Sequence, residues 1–321
     1  MASGLVGFAG RRLLLGLVTL ALLSLAVFAG GQVLPGDVGR AILGPLADPR
    51  AVAALDHQLG ADRPAPILYL AWVGGLLRGD LGTSLAYRSP VAPLLGAALA
   101  NSLKLALLAF LVVVPLGIGA GVYAALRVGR WQDRLVTVGG LSLTVIPEFV
   151  SSIVLILVFG VWLRWLPLSA SARPGSGALV EFQHLVLPVL PLAFVLFGYI
   201  ARLTRAGTLG ALEADYTRTA VLKGLPRRVV LVRHVLRNAL PPTIAAVAAQ
   251  TGYVVGGLVV VESLFRYQGV GSLILTAAKG KDFPMLEAGV LAVGVLTIAA
   301  TLVADALTLA LDPRARESAG G

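Results

Sequence analysis

Cysteine is absent from this 321-residue chain, histidine occurs three times, and charged residues make up only 13% of it. Without thiols there is no disulfide framework and no thiolate metal site, and the redox compartment is left open. His57, His184 and His234 are widely separated in the sequence, which argues against a shared metal centre. No Gly-x-x-x-x-Gly-Lys-Ser/Thr phosphate loop occurs, because Gly280-Lys281 is followed by Asp282. No serine stands in a Gly-x-Ser-x-Gly turn, and no catalytic constellation emerges.

What the chain has in excess is apolar surface: 57% hydrophobic residues and a mean hydropathy of +0.89. An ordinary soluble domain carries roughly 45–50% apolar and about 25% charged residues. The composition is that of a membrane protein, and it excludes intrinsic disorder. The net charge of +10 looks like a footprint for polyanions. The basic residues, however, punctuate hydrophobic runs instead of gathering on one domain, so they read as topology signals and no nucleic-acid partner is expected.

Leu13 to Val33 is a charge-free run of 21 residues, about 32 Å as a helix and a match for a hydrocarbon core of about 30 Å. It is too long for the apolar part of a signal peptide, and no clear small-x-small cleavage site follows. Further apolar runs extend from Leu105 to Leu126, Leu135 to Leu163, Leu185 to Ala201, Ala239 to Val261 and Ala288 to Leu311. The expectation is an all-α polytopic membrane protein with six transmembrane helices. Pro188, Pro191, Pro241 and Pro242 fall near the expected starts of spans four and five, where a missing amide proton costs least, and Pro147 predicts a kink in span three. Placing both termini in the cytoplasm gives the cytoplasmic segments a net charge of +10 and the outer ones only +1, with Glu148 and Glu262 near the outer ends of their spans counted as outer and Asp305, inside the last span, accounting for the remaining −1. That bias fits the positive-inside rule.

The expected organisation is 1–34 as N-terminus and first span, 35–100 as an outer segment with short helices, and 101–321 as a five-span core. The outer segment is too long for a turn and needs structure of its own. Asp48-Pro49 opens a short helix that Gly60 stops. Ile67 to Leu77 is apolar but too short to span, so it lies along the membrane surface or packs on the bundle, with Tyr69 and Trp72 suited to the interface. Gly79-Asp80-Leu81-Gly82 reads as a turn.

The inner loop, about 202–238, carries most information. Asp215 is expected to cap a two-turn helix from Tyr216 to Lys223, closed by Gly224 in a left-handed conformation and stopped by Pro226. A helix that short is unstable alone in water and must dock on something. The following stretch puts Val229, Val232, Val235 and Leu236 on one face of an interfacial helix.

These residues carry a resemblance. Asp215-Tyr216-Thr217-Arg218-Thr219-Ala220-Val221-Leu222-Lys223-Gly224-Leu225, followed by Arg233-His234-Val235-Leu236-Arg237-Asn238-Ala239-Leu240-Pro241, resembles the permease subunits of binding-protein-dependent ABC importers, in the dipeptide, oligopeptide and nickel branch and as its first-permease (B-type) subunit. Leu59-Gly60-Ala61-Asp62-Arg63-Pro64, Gly79-Asp80-Leu81-Gly82-Thr83-Ser84, Glu262 with Phe265 and Gly269-Val270-Gly271, and Leu311-Asp312-Pro313-Arg314 extend the likeness over nearly the whole chain. The resemblance implies the ABC permease fold in a bacterial cytoplasmic (inner) membrane. It also implies a second homologous permease subunit, two ATPase subunits that hold ATP and Mg, and an extracytoplasmic binding protein delivering peptide; no cofactor is bound directly. The family motif Glu-Ala-Ala, three residues, Gly lies over Arg218, Thr219, Ala220 and Gly224, of which only Ala220 and Gly224 keep the general pattern. ATPase coupling is then expected of Asp215, Tyr216, Arg218, Thr219, Ala220, Lys223 and Gly224.

Intramembrane polar residues are pathway candidates by default, here Glu148, Gln250 and Tyr253. Helix–helix hydrogen bonding is the commoner role for the last two. Glu262 and Asp305 read as structural partners, and Gly117 with Gly121, and Gly252 with Gly256, as close-packing pairs. Two rivals remain: an ion-coupled secondary transporter, which predicts midplane carboxylates and inverted repeats that are not legible here, and a noncatalytic membrane scaffold.

Overall fold

In hydrocarbon every backbone amide and carbonyl must be satisfied within the protein, so long apolar runs become helices. A computed structural model of the chain, describing residues 2–33, 43–44, 46–59, 63–173 and 175–311, is all-helical apart from one isolated bridge between Thr83 and Pro90. The order is α1 (Ala2–Val33), α2 (Pro49–Leu59), α3 (Ala65–Leu77), α4 (Val91–Ala125), α5 (Trp131–Val145), α6 (Glu148–Trp162), α7 (Ala178–Glu213), α8 (Asp215–Leu222), α9 (227–249), α10 (Thr251–Leu264), α11 (Val270–Gly280) and α12 (Phe283–Leu311). Wide π turns interrupt α5 at Leu135–Gly139, α6 at Ile156–Trp162 and α9 at Val230–Leu236.

Among the described residues, four helices are long and apolar enough to cross a membrane, and five if the bent pair α5 and α6 counts as one. The run from Ala239 to Val261, expected as one span, is divided between α9 and α10, which meet at Gln250. Pro147 does more than kink its span. Ile146 and Pro147 are extended, with ψ of 121° and 140°, and the two limbs diverge by 101°. The other prolines correct the sequence reading: Pro188 and Pro191 lie well inside α7, and Pro241 and Pro242 inside α9. Polar Glu181, Gln183 and His184 interrupt the apolar run and hid the first turns of α7, which starts at Ala178.

The chain divides into two compact units. One is built chiefly from Leu103–Tyr267. Its centre is α7, whose buried side includes Leu187, Leu192, Leu196 and Ile200, in a core shared with Leu105, Val113, Val254 and Phe265. Glycine lets backbones touch here, as the spacing of Gly117 and Gly121 implied: a Cβ on Gly121 would stand 2.5 Å from the Ala201 carbonyl oxygen and 2.7 Å from Thr204 Cβ. The surroundings of Gly252 and Gly256 lie outside the described residues.

The other unit joins Arg12–Ser102 to Gln268–Leu296. The Asp48 carboxylate accepts from the Arg50 amide at 3.0 Å, capping α2 as expected; Gly60 lies outside the described residues. α3 packs on α1: Phe28 stands 5.4 Å from Tyr69 and 5.9 Å from Trp72, centroid to centroid, and the Ser24 and Tyr69 hydroxyls share a hydrogen bond of 2.8 Å. The turn at Gly79 to Gly82 has both glycines at positive φ, with the Gly82 amide donating to Asp80 at 2.9 Å. Beyond it, the fully buried Asp282 accepts from the Ser84 hydroxyl and from the Leu85 and Ala86 amides at 3.1 and 3.2 Å. That carboxylate fixes the loop before α4, while Val91, Leu95, Val270 and Met285 form the apolar core beside it.

Gly121→Ala is expected to lower stability by about 1–3 kcal/mol through overpacking. Gly119→Ala, where a Cβ meets nothing within 4 Å, is neutral or slightly stabilising. Thermal unfolding of the two variants in detergent separates these outcomes.

Candidate functional site

The chain turns out of α7 at Ala214, which is extended (φ −70°, ψ 146°), and re-enters helix at once as α8. Asp215 is not the cap predicted from the sequence. It occupies the first helical position, Ala214 is the N-cap, and no side chain caps the amides. The Ala214 carbonyl accepts from Thr217 and Arg218 at 3.0 and 3.2 Å, while the Thr217 hydroxyl donates back to the Ala211 carbonyl at 2.7 Å. Asp215 is left to interact with the helix dipole, which favours an acid there. At the other end Leu225 donates to Ala220 at 3.4 Å and Gly224 to Val221 at 2.9 Å, a Schellman closure with Gly224 at φ +74°.

Of the seven residues expected to couple, Asp215, Tyr216, Arg218, Thr219, Lys223 and Gly224 are exposed, whereas Ala220 is 3% exposed. Ala220 sits in a small core with Ala211, Val230, Val235 and Ala239. A Cβ on Gly207 would meet the Ala239 carbonyl oxygen at 2.6 Å, so α7 and α9 also touch at backbone level. The end of α7, the short α8 and the start of α9 are therefore one packed body, with Ala220 in its core.

The face expected of α9 needs correction. Val230 and Val235 are buried, while Val229 and Val232 are 38% and 63% exposed. A 3.6-residue period does not hold across the π turn Val230–Leu236, where one extra residue per turn aligns positions five apart. Nothing in the sequence warned of the apolar residues left outside on and just after α8: Val221, Leu222 and Leu225 are 59%, 81% and 38% exposed. Two turns are too few for a periodic pattern to tell an inner face from an outer one.

A second feature went unrecognised. Asp133, counted in the sequence only as one acid in a charge balance, is buried and receives two bonds from Arg205 of α7, from Nε at 2.6 Å and Nη2 at 2.8 Å. The Gly129 amide and the Thr137 hydroxyl add bonds at 3.0 and 3.3 Å. Asp133 precedes the apolar run that begins at Leu135. Its hydrogen bond from Arg205 holds the carboxyl well below the usual carboxylate range, at about 2, against the opposing effect of burial.

Among the described residues, the pathway candidates Glu148 and Gln250 do not line one cavity. Glu148, half-buried, opens α6 and lines a cavity of ≈ 290 Å³ with Thr144, Ile146, Pro147, Val195 and Val260. Gln250, also half-buried, is at the α9–α10 junction and does not line that cavity. The side chain of Tyr253 lies outside the described residues. Glu262 is fully buried. Among the described residues no group of three or more His, Asp or Glu could hold a metal ion.

Known proteins share this arrangement's sequence. Residues 117–317 match the family "Binding-protein-dependent transport system inner membrane component", and residues 5–113 match the N-terminal family of the same systems. The chain belongs to this family. It is thus a multi-pass inner-membrane permease subunit of an ABC importer, without a catalytic role of its own. The permease is 33% identical over 307 residues to the "Probable peptide ABC transporter permease protein y4tP" of Sinorhizobium fredii, covering 95% of this chain and 98% of that protein. It is 36% identical over 307 residues to the "Glutathione transport system permease protein GsiC" of Escherichia coli, covering 94% and 97%.

Asp133→Asn is expected to destabilise the permease by about 2 kcal/mol, because it strips a charged pair from a buried site. A carboxyl whose pKa falls on folding stabilises the fold above the unfolded value and ceases to do so as pH drops through the folded one. The stability difference between the native protein and the Asp133→Asn variant should therefore be constant at neutral pH and shrink between about pH 4 and 2. Detergent melting curves across that range measure it.

Proposed function

We propose that this permease forms half of the translocation pathway of an ATP-driven importer of di- or oligopeptides, with a second homologous permease supplying the other half. Two separate ATPase subunits, which hold ATP and Mg, drive it from the cytoplasm, and α8 is the element they grip. The observation that carries this reading is α8 itself: a two-turn helix fixed from behind through Ala220 and Thr217, with Tyr216, Val221, Leu222 and Lys223 presented outward. A helix held on one side and exposed on the other converts displacement at its surface into displacement of α7 and α9. The names of the two relatives, for peptide and for glutathione, support a small peptide as cargo and assignment to the peptide branch as its first-permease (B-type) subunit.

In this reading the chain crosses the bilayer six times, with α9 and α10 together supplying the fifth crossing and both termini in the cytoplasm. The segment 35–100 faces outward and receives an extracytoplasmic peptide-binding protein, and 101–321 is the permease core with its coupling loop at 202–238. Arg218, Thr219 and Asp215 complete the contact with the ATPase. Glu148, Gln250 and Tyr253 are its pathway residues.

Two experiments test it. Because the chain has no cysteine, Leu222→Cys gives a single thiol that should crosslink to an ATPase subunit in intact membranes and react with impermeant reagents only from the cytoplasmic side. Labelling from outside, or no crosslink, overturns the docking role. Gly224→Val forces a β-branched residue into a left-handed conformation at a cost of about 1–2 kcal/mol. It should abolish ATP-driven uptake while leaving membrane insertion intact.

A further inference from the structure

A cleft between α4 and α7 has an ion pair at one end and hydrocarbon along the rest. It encloses ≈ 290 Å³ and is built entirely within the larger unit. Lys104 of α4 pairs with Glu181 of α7, and both remain accessible, their side chains 51% and 44% exposed. The rest of the lining, Leu107, Leu108, Leu111, Ala178, Phe182 and Leu185, is apolar. Lys104 immediately precedes the apolar run that starts at Leu105, and Glu181 stands one turn before the run that starts at Leu185. The pair therefore marks the level at which both helices enter hydrocarbon. From Lys104 to Leu111 α4 rises about 10 Å, so the apolar part of the cleft extends from that level toward the bilayer centre. Leu107 and Leu111 are 60% and 63% exposed, which leaves this wall open to whatever surrounds the unit.

The lining fixes what such a cleft can accept. An ammonium carries three N–H donors and a carboxylate roughly four acceptor sites, and among the described residues Lys104 and Glu181 spend one each on the other. The two charges cancel: an anion drawn to Lys104 is repelled by Glu181, a cation drawn to Glu181 is repelled by Lys104, and only a zwitterion gains at both. A zwitterionic peptide is a poor occupant, because the apolar walls offer nothing to its backbone amides. A helix of a partner subunit, about 10–12 Å across with its side chains, is too broad to enter, whereas a chain of methylenes is slender enough. Lipid tails are as apolar as leucine, so the walls alone do not hold a lipid in place. Selection falls to the headgroup, where phosphate can accept from Lys104 and an ammonium can donate to Glu181. Phosphatidylethanolamine has both groups. Phosphatidylcholine has no N–H to donate, and phosphatidylglycerol has no cation.

We infer that Lys104, Glu181 and the cleft beneath them bind one phosphatidylethanolamine molecule in the leaflet where α4 and α7 begin. The site is separate from the cargo and from α8, and it requires only that α4 and α7 cross the bilayer.

The test is photolabelling of the complete importer complex in phosphatidylcholine nanodiscs. Each sample holds a trace of phosphatidylethanolamine, phosphatidylcholine or phosphatidylglycerol with a diazirine in one acyl chain. Adducts are mapped by peptide mass spectrometry, with Leu17 of α1, 57% exposed, as the internal standard for unselective lipid contact. Native, Lys104→Gln and Glu181→Gln complexes are compared after co-purification establishes that all three assemble; an ion pair this exposed adds little to stability. In the native complex the phosphatidylethanolamine probe should label residues 107–111 and 182–185 at least about tenfold more than either other probe, the worth of one charge-assisted hydrogen bond. Glu181→Gln should bring it down to the level of phosphatidylcholine, and Lys104→Gln should lower it at least about tenfold. Equal labelling by the three probes means passing lipid only and overturns the site, as does a preference that survives Glu181→Gln. Labelling of Leu17 with none in the cleft means that a partner subunit covers it, and also overturns the site. Labelling needs neither ATP nor cargo, so the outcome is independent of the peptide-import reading.

Discussion

Contacts between surfaces that have almost no side chain hold the larger unit together. In a bilayer the lipid tails are as apolar as leucine, so helices gain little from hiding from them, and association depends on van der Waals fit and on satisfied polar groups. Around α7 that fit comes from Gly121 against Ala201, from Gly207 against Ala239 and from Ala220 in its small core. Each places backbone against backbone or nearly so, where a larger residue would force the helices apart. The stiffness of α7 follows: it runs unbroken from Ala178 to Glu213 despite two internal prolines, because its neighbours fix it on several sides.

Stiffness at that end of the molecule makes α8 useful. Alone it would melt, since a two-turn helix cannot recover its nucleation cost. Held by Thr217 and Ala220, it presents a fixed surface. The Asp133–Arg205 pair reinforces α7 just before this point and ties it to the start of α5. α8 is thereby joined by packing to α7 and α9, and through α7 to α5. The break at Pro147 is the opposite kind of feature, a place where helical continuity is given up and Glu148 comes to line a cavity.

Sequence reasoning failed where local periodicity ceased to be the governing rule. The π turn in α9 buries Val230 beside the expected Val235 and leaves Val229 and Val232 outside. Interior prolines in α7 and α9 are tolerated because membrane helices can satisfy the freed carbonyls elsewhere. Nothing near Asp133 in the sequence marks it as a buried ion-pair partner, because Arg205 is 72 residues away.

The sequence by itself determined the membrane class, the helical composition, the start of α2 and the left-handed closure at Gly224, because each depends on composition or on bonds between residues a few positions apart. It also contained the spacing of Gly117 and Gly121 and the proline at which a span must kink. The tertiary structure alone decided that Ala220 is a core residue while its neighbours on α8 are exposed, that Asp133 belongs to Arg205 and Asp282 to Ser84, and that Pro147 turns its span through 101°. Those outcomes depend on which surfaces meet across long stretches of chain. A pattern of apolar and polar residues records that a side is buried, not what lies against it.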